Sequence, residues 1–211
     1  ISPFAALALE AKAALVYEPD TGRVLYAKSE RDRLPIASMT KLMTALTATE
    51  LLPDSTVVPL AATRHYRLKD LVAITLVSSL NSGALALASA TADNLGRDLV
   101  TEMNAEAHAL GLNQTTFTNP TGLDLEDGQA GSYSSAYDIA RLFTHILTVR
   151  PELLAATKLA EIETGTVEGL RHRFQNTNEI VGDLPGLLGS KTGFTDIAEG
   201  GLVIAFDRGL N

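Results

Sequence analysis

Residues 36–50 read IASMTKLMTALTATE. Met39, Leu42, Met43 and Leu46 recur at helical spacing, which predicts a core-facing helix over residues 38–52. Lys41 interrupts this apolar run one turn after Ser38. On a helix, residues i and i+3 share a face with Cβ atoms roughly 5–6 Å apart, so Ser38 and Lys41 can point into one small volume. If that volume is partly desolvated, the amine loses its charge more readily. It can then accept the hydroxyl proton and turn a weak alcohol into a nucleophile. The competing reading is a Lys that snorkels past its apolar neighbours to water. With twelve Ser and six Lys in the chain, about a third of one Ser-x-x-Lys match is expected by chance, so the pair alone decides nothing.

Working outward, KAALVYEP and RVLYAKS flank Asp20-Thr21-Gly22 and predict a β-hairpin whose Gly permits a positive φ in the turn. After the 38–52 helix, the periodicity predicts helices over about 68–78, 82–94, 98–110 and 135–149. Gly111 suits the position after a helix end, and Ser135 with Asp138 fits a capping box opening AYDIARLFTHIL. Beyond Pro151 the pattern turns to short β-like runs, LAEIETGTV, GLRHRFQN, LLGSKTGFT and GGLVIAFD. Strands at both ends with helices between predict an α/β fold of the α+β type. Its mostly antiparallel sheet is formed by both chain ends and flanked by helices, with a helical subdomain inserted.

Composition narrows the function. The 211 residues are 45% hydrophobic, enough for one sizeable core. Seventeen basic against 25 acidic residues give a net charge of -8, which argues against nucleic acid as a partner because phosphate binding needs clustered Lys and Arg. The absence of Cys removes thiol nucleophiles, disulfides and thiolate metal sites together. His65, His108, His145 and His172 show no metal-binding spacing, so no metal and no cofactor are expected. GLLGSKT has Ser190 where a phosphate loop requires Gly, and no Gly-x-Ser-x-Gly elbow is present. Asp124 and Asp127 in GLDLEDG read as a solvated turn. The opening ISPFAALALEAKAA reads as a helix or an ordinary terminal segment; it lacks the basic start of a signal peptide.

Two further stretches give the Ser38/Lys41 pair its meaning. LVSSLNSGA at 76–84 carries Ser79-x-Asn81 at a predicted helix-to-helix junction, and GSKTGF at 189–194 carries Lys191-Thr192-Gly193 on a predicted strand. Ser-x-x-Lys, then Ser-x-Asn, then Lys-Thr-Gly is the ordered trio of penicillin-binding proteins and class A β-lactamases. From about Lys12 to Phe206 the chain resembles the low-molecular-mass penicillin-binding proteins that act as serine D-Ala-D-Ala carboxypeptidases. The likeness extends to AALVYEPDTGRVLYAKSERDRLPIASMTKLMTAL, ALGLNQTTFTNPTGLD and LPGLLGSKTGFTDIAEGGLVIAF.

The resemblance implies a single catalytic domain over 1–211 with a DD-peptidase/β-lactamase-like fold. Its helical subdomain, about 52–150, would lie between the two sheet segments, and the family's closing strand and helix would be missing. It implies Ser38 as the acylated nucleophile, Lys41 as its base and Ser79 as the proton relay to the leaving amine. Asn81 would bind the substrate's amide, and Lys191 and Thr192 its terminal carboxylate. Gly193 would leave the strand bare for substrate, and the backbone N–H groups of Ser38 and Phe194 would form the oxyanion hole. The implied partners are a peptidoglycan stem peptide ending in D-Ala-D-Ala and β-lactams as covalent inhibitors. The implied location is extracytoplasmic, in the periplasm or cell envelope of a bacterium, with membrane association only through segments absent from this chain. A class A-like β-lactamase and a catalytically silent peptidoglycan-binding homologue are the alternatives. The chain departs from the family pattern at TVVPLAATRHYRLKD, where relatives carry a longer Gly-rich segment, and at Ser82, where Asp is common.

Overall fold

The computed structural model describes residues 9–207 and 209. In chain order the elements are β1 (Ala14–Glu18), β2 (Arg23–Lys28), β3 (Leu34–Pro35), α1 (Lys41–Leu51), β4 (Val57–Ala61), β5 (Arg64–Arg67) and α2 (Leu68–Val77). They continue with α3 (Asn81–Leu95), α4 (Leu99–Ala109), β6 (Thr116–Phe117), β7 (Ser132–Ser134), α5 (Ala136–Val149) and α6 (Glu152–Ala155). The last strands are β8 (Glu161–Gly165), β9 (Arg171–Gln175), β10 (Leu187–Thr195) and β11 (Glu199–Phe206). The fold is mixed α/β, and every described strand pair is antiparallel. The expectation for ISPFAALALEAKAA falls outside the described residues over 1–8, and residues 9–13 are not helical.

The hub of the fold is α1. An amphipathic stripe is the sequence expectation, but every residue from Lys41 to Thr49 is buried, including Thr44, Thr47 and Thr49. Helices α2, α3, α4 and α5 all pack against it. A helix surrounded in this way cannot let a lysine snorkel, which removes the competing reading of Lys41. Burying Leu42, Met43 and Leu46 contributes about 1.5–3 kcal/mol each, so Leu42→Ala should cost about 2–5 kcal/mol.

The caps hold the helices in the expected places. Gly111 adopts φ 66°, and Leu112 N–H donates back to Ala107 O at 2.9 Å, closing α4. Ser135 Oγ accepts from Asp138 N–H at 3.1 Å and starts α5. The Asp138 carboxylate does not complete the box. It accepts instead from Gln114 N–H at 2.7 Å and Thr115 Oγ1 at 3.0 Å, anchoring the segment that leads to the cleft.

The two chain ends form separate hairpins, β1 with β2 and β10 with β11, and no ladder joins them among the described residues. Helix α5 lies against both β1 and β11, so the ends meet through packing on one helix. Tyr17 fastens the first hairpin there, its hydroxyl donating to Ala140 O at 3.1 Å. The departing segment TVVPLAATRHYRLKD forms the hairpin β4–β5 and its turn into α2. Val167 N–H donates to His65 O at 2.8 Å, tying that hairpin to the β8–β9 turn.

Candidate active site

The nucleophile candidate sits just before α1 rather than on it. Ala37–Thr40 form a 3₁₀ turn, in which residues i and i+3 eclipse, and this tighter geometry stacks Ser38 over Lys41. Ala37, immediately before Ser38, is held at φ 45°, a left-handed conformation unfavourable for Ala. The surroundings over-determine it. Gly122 packs so closely that a Cβ there would stand 2.0 Å from Ala37 O, and Thr40 Oγ1 donates to the same carbonyl at 2.7 Å.

Lys41 has no solvent exposure. Its Nζ donates to Ser38 Oγ at 2.8 Å, Asn81 Oδ1 at 2.7 Å and Thr121 O at 2.8 Å. Burial lowers its pKa to about 7. The geometry therefore suits either protonation state: an ammonium has three hydrogens for these three acceptors, whereas a neutral amine has two hydrogens and one lone pair. Two of the acceptors, Asn81 Oδ1 and Thr121 O, carry no proton to give back. In the neutral form they take the two hydrogens, and the lone pair is left facing Ser38.

The second lysine enters from β10. Lys191 is 1% exposed, and its Nζ donates to Ser79 Oγ at 3.0 Å and Thr192 O at 2.8 Å. Burial first, and the nearby Lys41 charge second, lower its pKa to about 7. Ser79 occupies the sharp connection between α2 and α3 at φ 55°, a second strained non-glycine residue in the cleft. Lys41 thus holds Ser38 and Asn81 while Lys191 holds Ser79, two polar clusters that share the chain segment 79–81.

Gly193 has a packing reason beyond leaving the strand bare. A Cβ there would lie 2.8 Å from Ile36 O and 3.2 Å from the backbone nitrogens of Ser38 and Met39. Its absence lets β10 close onto the turn that carries Ser38. The Phe194 side chain points away into solvent, 70% exposed.

The structure also recruits groups that the motifs do not name. Thr121 acts through its carbonyl, and Asn119 builds the loop presenting it, its Oδ1 accepting from the N–H groups of Thr121 and Gly122 at 3.0 and 2.7 Å. NPTG at 119–122 is a turn signal, but nothing in it announces a carbonyl aimed at a lysine 80 residues away. Asp124, expected in a solvated turn, accepts from Thr195 Oγ1 at 2.9 Å and Ile197 N–H at 3.3 Å, clamping this loop to the end of β10. Asp127 is confined to its own turn, accepting from Gln129 N–H at 3.0 Å. Away from the cleft, Glu50, Glu106 and His145 place ligand atoms within 4.8 Å of one another, a grouping from three helices that no linear spacing reveals.

A family model described as D-alanyl-D-alanine carboxypeptidase matches residues 2–52 and 47–209. The D-alanyl-D-alanine carboxypeptidase DacF of Bacillus subtilis is 34% identical over 96% of this chain and 56% of its own length. A D-alanyl-D-alanine endopeptidase of Pseudomonas aeruginosa is 31% identical over 90% of this chain and 65% of its own. The chain therefore spans between about half and two thirds of these relatives. Among solved structures, penicillin-binding protein D2 of Listeria monocytogenes in its ampicillin-bound form superposes with a TM-score of 0.83 at 31% identity, covering 96% of this chain and 86% of that one.

Proposed function

The chain belongs to the D-alanyl-D-alanine carboxypeptidase family, and from that premise we propose that it removes the terminal D-Ala from peptidoglycan stem peptides ending in D-Ala-D-Ala. The observation that carries this reading is Lys41 Nζ, sealed from water, 2.8 Å from Ser38 Oγ with its other two hydrogens already assigned.

In the proposed mechanism neutral Lys41 takes the Ser38 proton while Oγ attacks the carbonyl carbon of the penultimate D-Ala. The carbonyl π electrons move onto oxygen, where the N–H groups of Ser38 and Phe194 stabilise the developing charge. Collapse of the tetrahedral intermediate breaks the C–N bond. The proton that Lys41 took passes through Ser79, which Lys191 holds in place, to the leaving D-Ala amine, and Lys41 is neutral again. Water then attacks the Ser38 ester by the same path in reverse. Asn81 gives its Oδ1 to Lys41, which leaves its Nδ2 hydrogens for a substrate carbonyl. Lys191 and Thr192 hold the terminal carboxylate.

The same acylation step makes penicillins inhibitors, in line with the ampicillin-bound form of the Listeria relative. The helices over about 52–150, set between the end hairpins, form the inserted lobe of one catalytic domain. The substrate places the enzyme outside the cytoplasm of a bacterium, in its cell envelope. Among the described residues no helix is long and apolar enough to cross a membrane.

The test is a paired kinetic run on one preparation. A diacyl peptide ending in D-Ala-D-Ala should release D-Ala continuously, while penicillin should give a stoichiometric burst followed by turnover orders of magnitude slower. Rapid steady penicillin hydrolysis without D-Ala release would assign a β-lactamase instead. Neither activity from folded protein would assign a silent homologue.

A further inference from the structure

A residue outside the trio stands at the carboxylate end of the cleft. Thr177 Oγ1 lies 2.5 Å from Thr192 Oγ1, and both side chains are at least partly open to solvent. The backbone around Thr177 is fixed from three sides. Its own N–H donates to Val77 O at 3.1 Å, two residues before Ser79. Asn176 Nδ2 donates to Thr157 O and Leu159 O, both at 2.9 Å. Thr157 in turn is bonded to β10, accepting from Ser190 N–H at 3.0 Å. Thr177 is thus positioned against both the Ser79 connection and the strand that carries Lys191 and Thr192.

We propose that Thr177 is a specificity-determining residue, forming with Thr192 a two-hydroxyl cradle for the free carboxylate of the substrate. The inference deepens the carboxypeptidase reading and rests on it. Lys191 is buried and already donates to Ser79 and Thr192 O, so its charge acts on a ligand from beneath the surface. Thr177 and Thr192 present their hydroxyls at that end of the cleft. Each has one proton. In the free protein one hydroxyl donates to the other, so the pair shows a single unspent proton. A carboxylate offers two acceptor oxygens, and both hydroxyls can rotate to donate to it. A carboxamide offers one oxygen and an NH2 group, so one hydroxyl must turn round to accept, and both charge-assisted bonds to an anion are lost.

The experiment compares Thr177→Val, which keeps shape and removes the hydroxyl, with Thr177→Ser, which keeps the hydroxyl. The substrates are a diacyl D-Ala-D-Ala peptide and its C-terminal amide. Losing a hydrogen bond to a charged group should lower kcat/KM on the free acid about tenfold to a hundredfold, mainly through KM, while the amide changes less than about twofold and Thr177→Ser stays near the parent. Equal losses on both peptides, or no loss on either, would overturn the cradle. Calorimetric binding of the same two peptides to the Ser38→Ala protein, with and without Thr177→Val, separates this proposal from the activity. A preference for the free acid that Thr177→Val removes upholds the cradle even where D-Ala is never released. D-Ala release together with an unchanged preference in Thr177→Val overturns the cradle and leaves the activity standing.

Discussion

Lys41 and Lys191 are both sealed from water, and burial brings both to a pKa of about 7, but their surroundings are built differently. The acceptors of Lys41 all lie in the helical region: Ser38 on the adjoining turn, Asn81 at the start of α3, and Thr121 O on the loop before β7. Three acceptors for three hydrogens leave it nothing to offer a ligand. Lys191 reaches from a strand to Ser79 across 112 positions and has two acceptors, so its ammonium keeps one hydrogen unassigned. One lysine is arranged to accept the proton of Ser38. The other, when protonated, keeps a hydrogen for an anion bound above it.

The comparison breaks most severely if Lys41 is removed. Lys41→Met should lower acylation by about a thousandfold to ten-thousandfold, the upper range for losing a general base. It should also raise the pKa of Lys191, because the Lys41 charge is one of the two causes that lower it. Stopped-flow acylation by a chromogenic cephalosporin measures the first effect, and the Nζ chemical shift measures the second. A fall below tenfold would mean that Ser38 has another base.

Lys191→Ala should cost less and should discriminate between substrates. A drop of about a hundredfold in kcat/KM is expected on a peptide with a free carboxylate, with a clearly smaller drop on its amide. Equal losses would make Lys191 a support for Ser79 alone.

Gly193→Ala tests whether the two halves must close on each other. Its Cβ would meet Ile36 O at 2.8 Å, a backbone atom that cannot rotate away, so the Ser38 turn or β10 must shift. The expected outcome is a loss of about 1–3 kcal/mol in stability, as for other overpacked sites, and about a hundredfold loss in kcat/KM, because the Ser38 and Phe194 amides separate. Activity within threefold of the parent would mean that the oxyanion site does not depend on this approach.

The smallest effect is in the pH profile, and its sign follows from the two roles. Lys41 must be neutral, so kcat/KM falls about tenfold per unit as pH drops below about 7. Lys191 must be charged, so binding of a carboxylate weakens as pH rises above about 7. The product is a bell centred near pH 7, and in Lys191→Ala only its acid limb should remain. A profile that rises monotonically to pH 10 in the parent protein would remove the distinction between the two lysines.

How far the sequence reveals these halves follows from the range of the contacts. Ser38 and Lys41 are legible because three residues of spacing suffice to bring them together, and the DTG turn and the caps at Gly111 and Ser135 are equally local. Lys191 and Ser79 are legible only through the ordered trio, since no periodicity links a strand to a helix junction over a hundred residues away. Thr121 O and the Ser38 and Phe194 amides are backbone atoms that any residue supplies, so residue type carries no trace of them. The short strands β3, β6 and β7 have too few residues to show alternation. The full burial of α1 was hidden for another reason: its buried threonines read as a polar face until Thr44 is seen donating to Pro120 O at 2.7 Å and Thr49 to Ala45 O at 2.9 Å.

The most direct test of the central claim, that Lys41 prepares Ser38 as the single nucleophile, is mass spectrometry after exposure to benzylpenicillin, with peptide mapping of the adduct. The account predicts one penicilloyl group per chain, on the peptide containing Ser38, and none on Ser38→Ala protein that retains its fold by circular dichroism. An adduct on Ser79 or any other residue, or none on folded parent protein, would contradict it.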